Sequence, residues 1–130
     1  MSANPNFAAT PKSAYGQISA ANTARDGTGT VVQIAAGGAS GSRIERLRAT
    51  AAGTTTAGVV RWFLSLDGGT TKRLLRETLV AAITPSTTVA VFMGEEIFPG
   101  GLQLPNANAQ IYASTHNAEI FNCFAEGGDY

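Results

Sequence analysis

Few side chains in this sequence are suited to catalysis. His116, within the stretch "YASTHNAEIFN" at 112–122, is the only histidine. Glu119 follows three positions later, a spacing that would place an acid–base pair on one face of a helix. However, "THNA" lies between two predicted strands, where Asn and His are ordinary turn residues. We therefore predict that His116 is a turn residue and that its replacement by Ala or Asn costs little stability.

A metal site or a nucleophile finds equally little support. A metal ion normally needs three protein ligands, and no second histidine is present. Cys123, the single cysteine, would need His116 as its base, but in "FNCFA" it lies in an apolar strand, where cysteine packs as a small hydrophobic residue. We expect no catalytic residue, no cofactor and no metal ligand.

Three glycine-containing stretches resemble functional motifs, and each departs from the motif at a required position. Residues 38–42 have serine where the nucleophile elbow has its second glycine. Residues 27–32 end in valine instead of the glycine of a dinucleotide-binding loop. Residues 53–60 lack the lysine and hydroxyl residue of a phosphate loop. The sequence therefore gives no enzyme signature.

The composition indicates one β-rich domain. A chain of 130 residues can bury a single core, and only 14% of them are charged. The net charge is zero, but residues 1–77 hold all nine basic residues and four acidic ones, while the other five acidic residues follow. These charges either intermingle in the fold or form a basic and an acidic edge suited to head-to-tail packing. A neutral chain without a basic cluster is not expected to bind nucleic acid.

Strand signals start near residue 30. They lie at 30–35, 59–66, 88–93, 109–114 and 119–125, with turn residues between them. In the clearest of these, residues 59–66, one face is predicted to carry Val60, Trp62, Leu64 and Leu66, and the other Val59, Arg61, Phe63 and Ser65. Aromatic residues of small sandwiches usually pack in the core, so we assign Trp62 to it.

Two further stretches, 42–52 and 70–83, are compatible with either helix or strand. The first begins with a capping-box pattern, Ser42 followed by Glu45. Turn signals bracket both at strand-like spacing, which favours strands. A bulge near Glu45 or Arg46 would place Ile44, Leu47, Ala49 and Ala51 on one face.

The expected fold is all-β: an antiparallel β-sandwich of jelly-roll or related Greek-key topology, with an extended N-terminal arm. We place the arm at 1–29 and the sandwich at 30–130. The arm holds Phe7, Tyr15 and Ile18 among small residues, and we predict that these three bind a partner or a neighbouring copy. The sequence shows neither a signal-peptide pattern nor a stretch able to span a bilayer, so we expect synthesis in the cytoplasm and no membrane association.

The order of "GSRIERLRATAAGTTTAGVVRWFLSLDGG", "RLLRETLVAAITPS" and "LPNANAQIYASTHNAEIFNCFAEGGDY" resembles small structural proteins of tailed bacteriophages. "SANPNFAATP" is similar as well, so the resemblance covers nearly the whole chain. It implies a head decoration or cement protein of the virion, with the major capsid protein as partner and a homotrimer as assembly. It also implies strand structure for "RLLRETLVAAI" and a connecting role for "STHNAE".

Two classes of function follow. In the first, copies of the sandwich decorate the outside of a phage head and bridge neighbouring capsid subunits, which stabilises the capsid. In the second, the domain is a tail or fibre component or binds carbohydrate on the host surface. A carbohydrate binder should present aromatic and polar side chains on its loops, and the loops here are mostly Gly, Ala, Thr and Ser.

Overall fold

The protein is described by a computed structural model for residues 8–130. These residues form eight β-strands and no helix, and so they hold no helix that could cross a membrane. The strands are β1 (Thr10–Ile18), β2 (Val32–Ala36), β3 (Ser42–Ala51), β4 (Gly58–Ser65), β5 (Arg73–Val80), β6 (Met93–Leu104), β7 (Gln110–Thr115) and β8 (Phe121–Asp129).

The strands form two antiparallel sheets of four. The first sheet has the order β1-β8-β3-β6 and the second β2-β7-β4-β5. This is the strand order of a jelly roll, in which the chain passes repeatedly from one sheet to the other. The predicted β-sandwich is therefore confirmed, and both ambiguous stretches contain strands, β3 and β5.

The core lies between the sheets and follows the two-residue period of the strands. In β4, Val60 and Trp62 are fully buried in it. The indole Nε1 of Trp62 donates a hydrogen bond to Oγ1 of Thr78, at 3.0 Å, so its one polar group is satisfied. The predicted inward face is thus confirmed at Val60 and Trp62, and Leu64 packs against the core, whereas Leu66 lies beyond the end of β4 and is 59% exposed.

The predicted bulge in β3 is also confirmed. In the pairing of β3 with β8, Ile44 is opposite Gly127 and Arg46 is opposite Glu126, which leaves Glu45 as the additional residue. Leu47 and the alternate residues after it then return to the inward face. Ile44, Leu47, Ala49 and Ala51 are all buried as a result. The capping-box pattern at the start of this stretch does not produce a helix.

The first 29 residues differ from the prediction. Thr10–Ile18 forms β1 and pairs along its whole length with β8, so the sandwich begins at Thr10 and not at residue 30. Nine backbone positions of this segment find their partners in β8, whereas an extended arm would leave them to water. Residues 1–7 lie outside the described residues, so for that part the predicted arm stays a prediction.

The boundaries of β6 were also predicted wrongly. The strand expected at 88–93 begins only at Met93 and continues to Leu104, through Pro99 and three glycines. β6 is an edge strand of the first sheet, where a proline without an amide hydrogen is tolerated. Phe92 is nevertheless buried, so its apolar character reflects packing on the core and not pairing in a sheet.

Candidate interaction surface

His116 lies in the turn between β7 and β8, as predicted. Its ring does not pair with Glu119, whose carboxylate instead accepts hydrogen bonds from the amide (2.7 Å) and hydroxyl (2.9 Å) of Thr56. The Nδ1 atom of His116 lies 3.1 Å from Nη2 of Arg61. The geometry therefore assigns His116 to a contact with Arg61, which the turn prediction did not foresee.

Cys123 is fully buried in the core. Burial raises the pKa of its thiol to about 12, because the apolar surroundings disfavour the charged thiolate. A nucleophilic cysteine needs the thiolate at neutral pH, so Cys123 acts here as a core residue. Among residues 8–130, no three His, Cys, Asp or Glu side chains converge in a way that could hold a metal ion.

The three residues predicted to bind a partner lie in different environments. Tyr15 is 78% exposed on the outer side of β1. Ile18 is only 2% exposed and packs in the core, so it is not accessible to a partner while the sandwich is folded. Phe7 lies outside the described residues. Of the predicted set, Tyr15 alone is placed on an accessible surface.

The strand register extends the surface around Tyr15 across the whole first sheet. Tyr15 is opposite Phe124 of β8, Phe124 is opposite Arg48 of β3, and Arg48 is opposite Glu95 of β6. The rings of Tyr15 and Phe124 are 6.2 Å apart, and the guanidinium of Arg48 lies 5.3 Å from the centre of the Phe124 ring. These contacts hold the aromatic side chains in place without burying Tyr15.

A second row of residues runs beside the first. Oε1 of Glu126 in β8 lies 3.2 Å from Nε of Arg46 and 3.3 Å from Nη2 of Arg48. Nη1 of Arg46 also lies 3.8 Å from Oε2 of Glu95. Basic residues from the first half of the chain are thus neutralised by acidic residues from the second half. At this surface the charges intermingle, and no separate basic and acidic edges form.

Two more exposed apolar side chains, both on β6, complete this surface. Met93 is 62% exposed and Ile97 is 56% exposed. We call the whole surface the aromatic–arginine face; it consists of Tyr15, Arg46, Arg48, Met93, Glu95, Ile97, Phe124 and Glu126. It presents apolar groups among mutually paired charges, which suits a partner surface that is largely uncharged.

Sequence reasoning found one residue of this face, Tyr15. The alternation of Leu47 and Ala49 with Arg48 in β3 was a usable signal for an outward arginine. The residues around Arg48 could not be predicted from such alternation, because they come from β1, β6 and β8. Only the register of the jelly roll brings these strands together.

A different cluster of charged residues lies on the outer side of the second sheet. Arg61 of β4 points away from the core yet is only 1% exposed. Its Nε donates to Oε2 of Glu77 at 3.0 Å, and its Nη1 donates to the backbone oxygen of Asn22 at 2.9 Å. Its remaining terminal nitrogen, Nη2, faces His116. Every nitrogen of this buried guanidinium therefore has a partner, as burial of a charge requires.

Asn22 belongs to the segment between β1 and β2, residues 19–31, which we call the strap. The amide of Asn22 donates to the backbone oxygen of Thr115 at 2.8 Å. Arg25 of the strap donates to Glu77 at 2.7 Å. That hydrogen bond, together with the charges of Arg25 and Arg61, holds the pKa of the Glu77 carboxyl below its ordinary value. Arg61 and Glu77 thus join the strap to β4 and β5.

Comparisons of the chain with protein-family models, with curated proteins and with solved structures gave no match.

Proposed function

We propose that this protein is a non-catalytic structural component of a tailed-phage virion that decorates or cements the capsid exterior by bridging neighbouring major capsid subunits. The observation that carries the proposal is the aromatic–arginine face. It is a continuous, ordered sheet surface that combines exposed apolar side chains with charges already paired inside the chain. Such a surface is suited to binding another protein, and it contains no arrangement of reacting groups.

The fold and the sequence resemblance support the same proposal from two other directions. Jelly rolls occur in viral capsid domains and in lectins, so the architecture is compatible with a virion protein, although a fold alone does not specify a function. The resemblance to phage decoration proteins extends over nearly the whole sequence, including the segments that form β3, β4, β5 and β8.

The partner we propose for the aromatic–arginine face is the major capsid protein. Complete burial of an apolar side chain contributes about 1.5–3 kcal/mol, and Tyr15, Met93 and Ile97 are all available for it. Arg46 and Arg48 are neutralised by Glu126 and Glu95, so the face has little attraction for phosphate groups. We therefore propose no nucleic-acid or membrane partner.

We also propose that the copies assemble as homotrimers on the virion surface. A closed ring of three copies would present three aromatic–arginine faces at once, and this multivalency would strengthen binding to a repetitive shell. Light scattering of the purified protein should then give the mass of three chains. A mass of one chain over the full concentration range would contradict the trimer but leave the role of the face untouched.

Binding to phage particles that lack the protein tests the proposed function. We expect Tyr15→Asp and Ile97→Asp each to raise the dissociation constant by about tenfold or more, since each places a charge in an apolar contact. Leu79→Asp is the matched control, because Leu79 is 79% exposed on β5 of the other sheet. The control should bind like the parent protein.

Equal binding by all three variants would show that the aromatic–arginine face is not the capsid contact. A parent protein that binds no particle but binds host-surface glycans would instead support the alternative, a tail, fibre or carbohydrate-binding role. The contribution of an N-terminal arm is tested by deleting residues 2–7. A deletion that extends to residue 24 would remove β1 and so disrupt the first sheet.

A further inference from the structure

The contact between His116 and Arg61 fixes the protonation state of the histidine. A guanidinium carries hydrogen-bond donors and no acceptor. Nδ1 of His116, 3.1 Å from Nη2 of Arg61, must therefore accept the hydrogen bond through its lone pair. This requires a neutral imidazole whose single proton is on Nε2. A doubly protonated ring would direct a donor at a donor and place two positive charges side by side.

The charged groups around this contact do not compensate for such a change. From the strap comes Arg25, another positive charge, and from β5 comes Glu77, which already accepts bonds from Arg25 and Arg61. Glu119, in the same turn as His116, is bonded to Thr56. The pKa of Glu77 is held below its ordinary value, so its carboxylate stays charged at mildly acidic pH, whereas histidine is the side-chain type that changes charge near neutral pH.

Displacement of Arg61 would weaken the attachment of the strap directly. The same guanidinium that faces His116 donates to the backbone oxygen of Asn22. The backbone amide of Asn22 also donates to the backbone oxygen of Thr115, the last residue of β7, which directly precedes His116. A change at His116 therefore affects both backbone hydrogen bonds of Asn22, the one from Arg61 and the one to Thr115.

We propose that His116 and Arg61 form a proton-controlled latch, closed when His116 is neutral, that holds the strap on the outer side of the second sheet. Protonation of His116 opens the latch and lowers the protection of the strap while the two sheets stay folded. The latch uses no residue of the aromatic–arginine face, so it stands independently of the function proposed for that face.

Hydrogen exchange of the full-length protein tests the latch. The reporter is the amide of Asn22, and the internal control is the amide of Ala109, which is bonded to Asn106 near the other end of β7. Each rate is divided by the intrinsic rate of an unfolded chain at the same pH. The protection of Asn22 relative to Ala109 should fall on the order of two- to tenfold from about pH 8 to about pH 5, as expected for one lost hydrogen bond.

Two variants separate the latch from a general acid effect. His116→Asn retains an acceptor oxygen close to the position of Nδ1 but does not titrate, so its Asn22 protection should be high and independent of pH. His116→Leu removes the acceptor, and its Asn22 protection should be low at both pH values. A relative protection of Asn22 in the parent protein that is unchanged between the two pH values would overturn the proposal, even if neither variant folded. The same pH response in His116→Asn as in the parent protein would also overturn it.

Discussion

Trp62→Ala is expected to remove a large part of the stability of the sandwich. Trp62 is fully buried in β4, the strand next to the edge of the second sheet, and is the largest side chain in the core. Its truncation leaves a cavity and removes the bond to Thr78. Substitutions of this kind cost about 3–5 kcal/mol. Folding stabilities of single domains are about 5–15 kcal/mol, so this loss is a major fraction of the total.

A second substitution at the same position separates the two contributions. Trp62→Phe keeps much of the apolar volume but loses the hydrogen bond to Thr78, whose hydroxyl still donates to Oε2 of Glu96 at 3.1 Å. We expect this variant to lose about 1–3 kcal/mol. Leu79→Ala serves as the control, because an exposed side chain on β5 should change stability by no more than about 0.5 kcal/mol.

Urea denaturation followed by far-UV circular dichroism measures all four proteins with the same probe. Fluorescence is unsuitable because Trp62 is the only tryptophan, and both variants at this position remove it. The slopes of the unfolding transitions should agree, which shows that stability and not denatured-state compactness has changed. In a thermal melt, Trp62→Ala should unfold roughly 10–20 °C below the parent. A Trp62→Ala variant as stable as the parent would refute the assignment of Trp62 to the core.

Three further outcomes follow from single contacts. The hydrogen bonds from Ser42 and Lys12 lower the pKa of Asp129, so its contribution to stability is complete above its ordinary value of 3.8 and is lost as the pH falls through the lower, folded value. Asp129→Asn should therefore weaken the dependence of stability on pH below about 4, measured by urea titrations at each pH. Cys123 should react with a thiol reagent only when urea unfolds the chain, and rapid labelling of the native protein would contradict its burial. Gly127→Ala should lose about 1–3 kcal/mol in the same titrations, because its new methyl group would overlap the main chain of β3, and an unchanged midpoint would show that the sheet adapts at no cost.

The sequence was most informative where side-chain size alternates strongly along a strand. In β4, Val60 and Trp62 fall on the inward face, and in β3 the apolar residues regain the inward face after the bulge at Glu45. Such patterns arise because one face of each strand must leave water. They predicted the all-β fold, the bulge and the burial of Trp62 without any knowledge of strand order.

The segment Thr10–Ile18 was missed because Ile18 is the only large apolar residue on its inward side. Ala14 and Gly16 occupy inward positions and contribute almost no hydrophobic signal, and the large aromatic residue, Tyr15, points outward. The strand is specified mainly by its backbone pairing with β8, more than a hundred residues later. Pairing at such a separation leaves no local pattern in the sequence.

The surroundings of Arg61 were unpredictable for a related reason. Because side chains alternate along a strand, Arg61 was predicted on the face of β4 that points away from Trp62, where an arginine is normally solvated. Its burial depends on the strap and on His116, which approach it from separate parts of the chain. The expectation that His116→Ala costs little therefore needs revision. Removing the acceptor leaves a buried donor of Arg61 without a partner, at a cost of about 1–3 kcal/mol.

The position of β8 has a consequence for how the protein is made. β8 lies between β1 and β3 in the first sheet, so the segment synthesised earliest among the described strands pairs with the one synthesised last. Until Asp129 has left the ribosome, β1 has no partner in its sheet, and β3 has a partner on only one side. Until β8 emerges, the nascent chain therefore exposes unpaired strand edges, and aggregation and chaperone binding compete with folding. Closure of the first sheet therefore waits for β8, the last of the described strands to be synthesised.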